Sequence, residues 1–235
     1  MGHVVRLYVD QPLGPGQSVA LGRDHANRLF KVMRLGVGEE LRLFNGHAGE
    51  WRARVTEAGK RGGVLEVLEH SAPQRMPPDL WLLFAPIRKE RTDFIVEKAT
   101  ELGAARILPV QTEFTRAERL RPDRLTAHAI AAAEQCGGTH VPEVAPLQKL
   151  AACLDGWPTG RRLMFCDETA PAGKLPQETG PWAIVIGPEG GFSEAERARL
   201  SEMGHTVSLG PRILRADTAA VAALTLWQAA LGDWS

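Results

Sequence analysis

The C-terminal part of the chain alternates short apolar runs with helical patterns, and this alternation constrains the fold more than any other feature. Five of the runs are compact and apolar, namely LWLLFAPI, RILPV, RLMFC, WAIVIG and TVSLG. Continuous runs of this kind are typical of parallel strands that are buried on both faces of a sheet. Helical segments lie between them, and the last is the alanine-rich ADTAAVAALTLWQAAL. Strands that alternate with helices predict an α/β domain over residues 79–235.

Residues 1–72 have a different pattern, which predicts a small β-rich domain. Short runs from VVRLYV to GVLEVLEH are separated by glycine, proline and Asn-Gly turn signals. One helical stretch, RDHANRLFKVMRLG, interrupts them, with Ala26, Leu29 and Met33 at helical spacing. The proline-rich SAPQRMPP then indicates a linker, which we assign to residues 73–78.

Composition excludes several classes of function. The formal net charge is zero, so any nucleic-acid surface must be a local patch of cations. No apolar run is long enough to span a membrane, and the first ten residues lack the apolar region of a signal peptide. Cys136, Cys153 and Cys166 are odd in number and have no CxxC spacing, which argues against disulfides and against a metal site. A cytoplasmic protein without membrane contact is therefore expected.

Two glycine-containing loops are expected at one edge of the predicted sheet. GPEGG, residues 187–191, directly follows the WAIVI run, and SLGPRILRADTAA, residues 208–220, follows the last run. Ligands of open α/β sheets bind beyond the carboxyl ends of the strands, so both loops are placed to contact one ligand. Glycine has no Cβ and lets peptide groups approach that ligand closely. Taken alone, GPEGG is also compatible with a simple tight turn.

The loops lack the known phosphate-binding fingerprints. A Walker A loop requires Gly-Lys-Ser/Thr, whereas Phe192 and Ser193 follow the glycines here, and no G-x-G-x-x-G is present. The carboxylate of Glu189 would also repel a pyrophosphate. A flat heterocycle or a neutral or cationic nucleoside is the predicted ligand.

The motifs GPEGGFSEAE and LGPRILRADTA strongly resemble those of the SPOUT-class family that methylates N3 of a uridine in bacterial 16S ribosomal RNA, the RsmE family. The segments RKERTDFIVEKATELGAARILPV, AAEQCGGTHVPEV and HANRLFKVMRLGVGEELRLFNGHAGEW are similar to its other conserved blocks. The resemblance covers nearly the whole chain. It implies a SPOUT-type knotted α/β methyltransferase domain with a parallel sheet, preceded by a small PUA-like β-barrel domain. It also implies S-adenosylmethionine as cofactor, a homodimer, and 16S ribosomal RNA in the assembled 30S subunit as substrate.

The resemblance also assigns residues in the two loops to the cofactor. The matching positions are Gly187, Glu189, Gly190, Gly191, Leu209, Gly210, Ile213 and Leu214. Two departures from the family pattern are visible. The first is Gly138, which stands where the family usually has arginine, so a cation is missing at this position. The second is Ala216-Asp217-Thr218, which stands where many members have Thr-Glu-Thr.

Methylation of uracil N3 requires help with a proton, because protonated N3 is a poor nucleophile. Arg215 is the first candidate for stabilising the uracil anion electrostatically, and Asp217 or Glu189 can accept the proton. Structural roles remain open for each. Arg215 can form an ion pair with Glu101 or another carboxylate. Asp217 or Thr218 can cap the last helix, and the Glu189 carboxylate can accept hydrogen bonds from N–H groups of its own loop.

Clusters of cations predict RNA-binding surfaces in both domains. The N-terminal domain carries Arg23, Arg28, Lys31 and Arg34 within twelve residues, and Arg88 and Lys89 precede a helix of the second domain. Arginine suits contact with phosphates and bases, although a solvated charged face is the alternative for each cluster.

Three functions remain compatible with the sequence. The first is the uridine-N3 methyltransferase, the second a related knotted methyltransferase that modifies a ribose 2′-hydroxyl, and the third a non-catalytic RNA-binding factor of ribosome assembly. The arginine-bearing LGPRILRADTA favours the first, and intact cofactor loops argue against the third.

Overall fold

A computed structural model describes residues 4–116, 119–171 and 175–234. The chain forms two compact units. The first contains the residues up to Met76 together with Ala133–His140, and the second contains Pro77–Ala132 and the residues from Val141 onward. The division after Met76 falls within the segment predicted as a linker, whereas the return of Ala133–His140 to the first unit was not anticipated.

The first unit is built on a curled five-stranded sheet with the order β1-β3-β4-β5-β2. Its strands are β1 (Arg6–Tyr8), β2 (Ser18–Leu21), β3 (Glu40–Phe44), β4 (Glu50–Ala58) and β5 (Gly63–Ala72). β1 pairs with β3 in parallel, and the other pairings are antiparallel. Alternate side chains such as Leu41 and Leu43 on β3 are buried in its core, as the alternating sequence runs predicted.

The predicted helical stretch of this unit is present, but it is not a regular α-helix. Helix α1 (Arg23–Ala26) continues as a π-helix over Asn27–Val32. Ala26 and Leu29 are buried, whereas Met33, which continues the same helical spacing in the sequence, is 42% exposed. The π-helix ends at Val32, and Met33 is its C-cap residue, where the chain leaves the helix.

Arg6 fastens the returning segment Ala133–His140 to the first unit. Its guanidinium donates to the carbonyl oxygens of Ala133 at 2.6 Å, Glu134 at 3.2 Å and Gly138 at 2.8 Å, and its Nε lies 2.8 Å from Glu50 Oε2. The positive charge of Arg6 interacts favourably with the negative C-terminal end of the helix dipole, since this helix ends at Cys136. The cationic side chain of Arg6 on β1 therefore contacts the backbone of Gly138, the position at which the family usually has arginine.

Glu134 is the buried carboxylate of the same segment. Its Oε1 accepts a hydrogen bond from the backbone N–H of Tyr8 at 2.9 Å, and its Oε2 lies 2.5 Å from Nη1 of Arg28. The carboxylate is 4% exposed, so the ion pair with Arg28 compensates a charge that is largely removed from water.

The second unit is an α/β domain with a parallel sheet in the order β12-β10-β11-β6-β7-β8, in which β9 also pairs with β7. Its strands are β6 (Leu80–Phe84), β7 (Arg106–Gln111), β8 (Glu143–Val144), β9 (Gln148–Lys149), β10 (Arg162–Cys166), β11 (Trp182–Ile186) and β12 (His205–Val207). Its helices are α2 (Lys89–Glu101), α3 (Pro122–Cys136, shared with the first unit), α4 (Leu150–Asp155), α5 (Glu194–Met203) and α6 (Ala216–Leu231). The five apolar runs thus form the predicted strands.

Both faces of this sheet are buried, which explains the unbroken apolar runs. Ile184 of β11 packs in one cluster with Ile95 of α2 and Leu224 of α6. Val185, the next residue, packs in a second cluster with residues such as Leu200 of α5. The knot that the family resemblance implies stays a prediction.

The starts of the last two helices differ. Helix α5 begins with the predicted capping box between Ser193 and Glu196. Helix α6 has Arg215 as N-cap with no side-chain cap, so the predicted capping by Asp217 or Thr218 was wrong. Asp217 lies inside the first turn instead, where its negative charge interacts favourably with the positive N-terminal end of the helix dipole. None of the described helices combines the length and apolarity needed to cross a membrane.

We predict that Arg6→Met lowers the free energy of unfolding by about 2–4 kcal/mol, because buried carbonyls and Glu50 lose their charged partner. Arg42→Met is the matched control, since Arg42 is more exposed and its Nε lies 3.9 Å from Glu50. It should cost less than about 1 kcal/mol. Urea unfolding followed by tryptophan fluorescence measures both, and equal losses would contradict the role of Arg6.

Candidate functional site

Three loops that follow neighbouring strands enclose a first cavity of about 330 Å³. Strand β10 lies between β12 and β11, so the carboxyl ends of these parallel strands meet at one edge of the sheet. The cavity is lined by residues 166–168, 186–192, 209–210 and 212–216, together with Ala219. The predicted location of a ligand beyond this edge therefore coincides with a cavity.

All eight residues that the family resemblance assigned to a cofactor line this first cavity. They are Gly187, Glu189, Gly190, Gly191, Leu209, Gly210, Ile213 and Leu214. Of the three predicted catalytic residues, Arg215 and Glu189 also line it, whereas Asp217 does not. The fold thus brings the two loops together, and their contact with a cofactor stays a prediction.

The glycines of GPEGG meet two separate steric demands. A Cβ on Gly187 would lie 2.6 Å from Cε2 of Phe192, a buried ring that packs edge-on against Phe165. Gly191 has a φ of +70°, in the left-handed region that glycine adopts without strain. Its N–H donates to the carbonyl of Pro188 at 2.9 Å and closes the loop.

Arg197 holds this loop against the one that follows β10. Its guanidinium pairs with Asp167, donates to Glu168 Oε1 at 2.6 Å, and its Nε donates to the carbonyl of Phe192 at 3.2 Å. Asp167 and Glu168 were missed in the sequence, although the RLMFC run ends directly before them. The signal was available, because a third parallel strand must end at the same edge of the sheet.

The contacts of Arg197 influence the protonation of groups around the first cavity. Burial favours a raised pKa for Asp167, but hydrogen bonds from Arg197 and Thr169 outweigh it and hold the pKa below its usual range. Burial raises the pKa of the Cys166 thiol to about 12, so this cavity-lining thiol is neutral and a poor nucleophile.

Arg215 and Asp217 have different surroundings. Arg215 is exposed and forms no ion pair within the described part of the chain, and Glu101 is paired with Lys98 at 2.7 Å instead. Asp217 lies 3.4 Å from Arg91 and accepts a hydrogen bond from the N–H of Thr218 at 2.9 Å. The charge of Asp217 is therefore engaged locally, while that of Arg215 remains available.

A second cavity, of about 880 Å³, lies on the other side of the GPEGG loop. It is lined by Pro86, Ile87, Arg88, Glu113, Phe114, Thr115, Arg116, Glu189 and Gly190. These residues follow β6, β7 and β11, and β11 lies between β10 and β6 in the sheet. The central position of β11 thus makes Glu189 and Gly190 a wall that the two cavities share.

The predicted RNA-binding cations are found in several environments. In the second unit, Arg88 lines the second cavity, and Lys89 lines a third cavity of about 320 Å³ with Arg119, Arg121 and Arg124. In the first unit, Arg23, Lys31 and Arg34 are exposed, whereas Arg28 is half-buried against Glu134. Within the residues described, no group of three or more His, Cys, Asp or Glu side chains is arranged to hold a metal ion.

We predict that Arg197→Met lowers the free energy of unfolding by about 2–3 kcal/mol near pH 7, because Asp167 stays buried without its cation. A carboxylate with a lowered folded-state pKa stabilises the fold above its unfolded pKa of about 3.9 and loses that effect as the pH falls. The difference between the two proteins should therefore shrink below about pH 4. Urea unfolding across pH 3–7 tests this, with the exposed pair of Arg199 and Asp155 probed by Arg199→Met as control. A difference that does not vary with pH would rule out the Asp167 pair.

Comparison with protein families matches both units of the chain. Residues 74–228 match the family described as RNA methyltransferase domain, and residues 27–68 match the RNA methyltransferase PUA domain. Among curated relatives, the ribosomal RNA small subunit methyltransferase E of Synechocystis is 31% identical, covering 88% of this chain and 71% of the relative. That of Rickettsia conorii is 29% identical, covering 93% of each chain.

Solved structures agree over nearly the full length. The ribosomal RNA small subunit methyltransferase E from Neisseria gonorrhoeae, bound to S-adenosyl methionine, has a TM-score of 0.91 and 30% identity, covering 99% of this chain and all of that one. A putative methyltransferase from Legionella pneumophila, in complex with the bound cofactor SAM, has a TM-score of 0.90 and the same identity and coverage of this chain. The predicted α/β methyltransferase domain with a preceding PUA-like domain is confirmed. The chain belongs to the RNA methyltransferase family that includes the ribosomal RNA small subunit methyltransferase E proteins.

Proposed function

We propose that this protein is an S-adenosylmethionine-dependent methyltransferase that methylates N3 of a uridine in the 16S ribosomal RNA of the small subunit. The observation that carries the proposal is the pair of cavities that meet at Glu189 and Gly190. A transferase needs two ligands whose reacting atoms meet, and this arrangement provides neighbouring sites with a shared wall. Relatives named for small-subunit ribosomal RNA methylation, and solved neighbours with bound cofactor, support the choice of reaction.

The first cavity fits S-adenosylmethionine. Its volume is within the range of small-molecule sites, and glycines from two loops expose peptide groups to it. The carboxylate of Glu189, which has no ion pair among the described residues, lines it and suits a cationic sulfonium, whereas it opposes a phosphate ligand. When bound, the cofactor supplies an electrophilic methyl group on a sulfonium sulfur, which becomes a neutral thioether as the methyl group leaves.

Glu189 is the group we assign to the proton on uracil N3. Its side chain is exposed and lines both cavities, and no hydrogen bond of its carboxylate is found among the described residues. N3 loses its proton to this carboxylate and forms its new bond to the methyl carbon. Asp217 is less suited, because it lines neither described cavity and is engaged by Arg91.

Arg215 is the group we assign to the developing negative charge on the uracil oxygens. It lines the first cavity from the N-cap of α6, and its guanidinium has no carboxylate partner in the described ranges. A cation without a counterion stabilises an anionic transition state more than one that is already paired.

The remaining parts of the proposal concern partners. The exposed cations of the first unit and those of the second and third cavities are assigned to RNA phosphates. The homodimer is retained, since Ile213 and Leu226 of the second unit are exposed apolar side chains that a second copy can cover. We also propose that the natural substrate is the RNA within the 30S subunit and that the protein is cytoplasmic.

The function is tested by incubating the purified protein with 30S subunits and methyl-labelled S-adenosylmethionine, and then digesting the RNA to nucleosides. Label in 3-methyluridine is the expected result. Label in a ribose-methylated nucleoside would replace the proposal by a 2′-hydroxyl methyltransferase. Absence of label together with absence of cofactor binding by calorimetry would favour a non-catalytic RNA-binding factor.

We expect Glu189→Gln to lower turnover by about 100- to 10,000-fold and Arg215→Ala by about 100- to 1,000-fold. Cofactor affinity, measured by calorimetry, should fall by much less than turnover, because the loop backbone is intact in both variants. Glu194→Gln is the matched control, since this exposed carboxylate in the first turn of α5 lines neither described cavity. Near-normal turnover of either variant would remove that residue from the mechanism.

We also expect the double substitution of Lys31 and Arg34 to glutamine to weaken RNA binding. Loss of two phosphate contacts should reduce the slope of log K against log[salt] by roughly 1 to 2. Arg52 and Arg54 are the control pair, because both are engaged by Glu40 and should contribute little. Filter binding across a salt series measures the slopes, and identical slopes for wild type and the Lys31/Arg34 variant would exclude this surface.

A further inference from the structure

We propose that the second cavity receives the acceptor base itself, with the uracil ring stacked on Phe114. This inference rests on the proposed function and specifies where its substrate binds. Phe114 follows strand β7 and was not singled out by any motif in the sequence. The residue is 44% exposed, and most of the other residues that line the cavity are charged or polar.

Phe114 lies directly against the wall that the two cavities share. A Cβ on Gly190 would be 3.1 Å from Cβ of Phe114, so the side chain packs on the glycine backbone of the GPEGG loop. Because Gly190 also lines the first cavity, a base on this ring lies beside the site assigned to the methyl donor. An exposed aromatic face is the feature that proteins use to hold an unstacked base.

The turn that carries Phe114 is held rigidly. The backbone N–H of Thr112 donates to Oγ1 of Thr115 at 2.9 Å, the two hydroxyl groups are 2.9 Å apart, and the N–H of Thr115 donates to the carbonyl of Thr112 at 3.2 Å. The N–H of Glu113 donates to Oε1 of Glu196 at 2.9 Å. Since the other oxygen of Glu196 completes the capping box of α5, one carboxylate fixes both the turn and the helix after GPEGG. Because this backbone is already ordered, stacking of a base on Phe114 does not require the turn to be ordered first.

The charges of the second cavity match a uridine nucleotide. Arg88 and Arg116 line it, and neither forms an ion pair within the ranges that the structure describes. They are available to the phosphates that flank the base or to its O2 and O4 atoms. Glu189 on the shared wall is the acceptor assigned to the N3 proton, so the second cavity contains both the cations and the carboxylate that the O2–N3–O4 edge of uracil can use.

The third cavity extends this path away from the reacting groups. It shares Ile87 with the second cavity and is lined by Lys89, Arg119, Arg121 and Arg124. Arg121 and Arg124 are paired with Asp123 and Asp93, whereas Lys89 and Arg119 form no ion pair in the described part of the molecule. The RNA strand next to the acceptor uridine has a basic surface to follow on this side.

The test compares Phe114→Leu, which keeps an apolar side chain but removes the aromatic face, with Phe114→Tyr, which keeps the face. Phe94→Leu is the matched control, because Phe94 is 38% exposed on α2 and lines neither the first nor the second cavity. We expect Phe114→Leu to lower kcat/KM for 30S subunits by about 10- to 100-fold through a higher KM, as loss of one stacked base requires. The Kd of S-adenosylmethionine should be unchanged, and the tyrosine variant and Phe94→Leu should behave like wild type.

Three results would overturn the inference while leaving the proposed function intact. The first is normal kinetics for Phe114→Leu. The second is a loss of S-adenosylmethionine affinity in this variant that is as large as its loss of activity. The third is dissociation of a dimer of this variant, detected by sedimentation. The second result would make Phe114 a support for the GPEGG loop, and the third a residue of the interface between copies. If wild-type protein methylates no RNA, the proposed function fails and the inference fails with it, which is a different outcome.

Discussion

The central position of β11 in the parallel sheet is the constraint on which the site depends. Since parallel strands end at the same edge, the strand order β12-β10-β11-β6-β7 decides which loops are neighbours. The GPEGG loop leaves the strand that lies between β10 and β6, so it faces one cavity on each side. A loop at the end of an edge strand would have had a neighbour on one side and could not have formed the shared wall.

Electrostatic pairing then divides the charged groups into structural and available ones. Arg197 compensates Asp167 and Glu168, and Asp217 is engaged by Arg91. Arg215 and Glu189 have no such compensation among the described residues, although they lie beside these pairs. A charge that is already paired gains little from a ligand, because it must first lose its partner. The unpaired groups are therefore those to which the proposed chemistry is assigned.

Sequence reasoning located the strands, the glycine loops and the capping box at Ser193, because each is written in contiguous residues. It failed where the result depends on distant parts of the chain. The return of Ala133–His140 to Arg6, and the turn at Phe114 that Glu196 holds, join residues more than eighty positions apart. Met33 is exposed although it keeps helical spacing, because the helix ends at Val32 and spacing alone does not reveal that end.

The sequence by itself determined the parallel α/β domain, the β-rich domain before it and the two loops that line the first cavity. These follow from hydrophobic period and from the few backbone shapes that glycine and proline permit, which are local properties. The tertiary structure alone decided that GPEGG separates two cavities, that Phe114 joins the site, and that Arg215 is unpaired while Asp217 is engaged. Those outcomes depend on the order of strands in the sheet and on contacts between distant residues, and neither is encoded in any single segment of the chain.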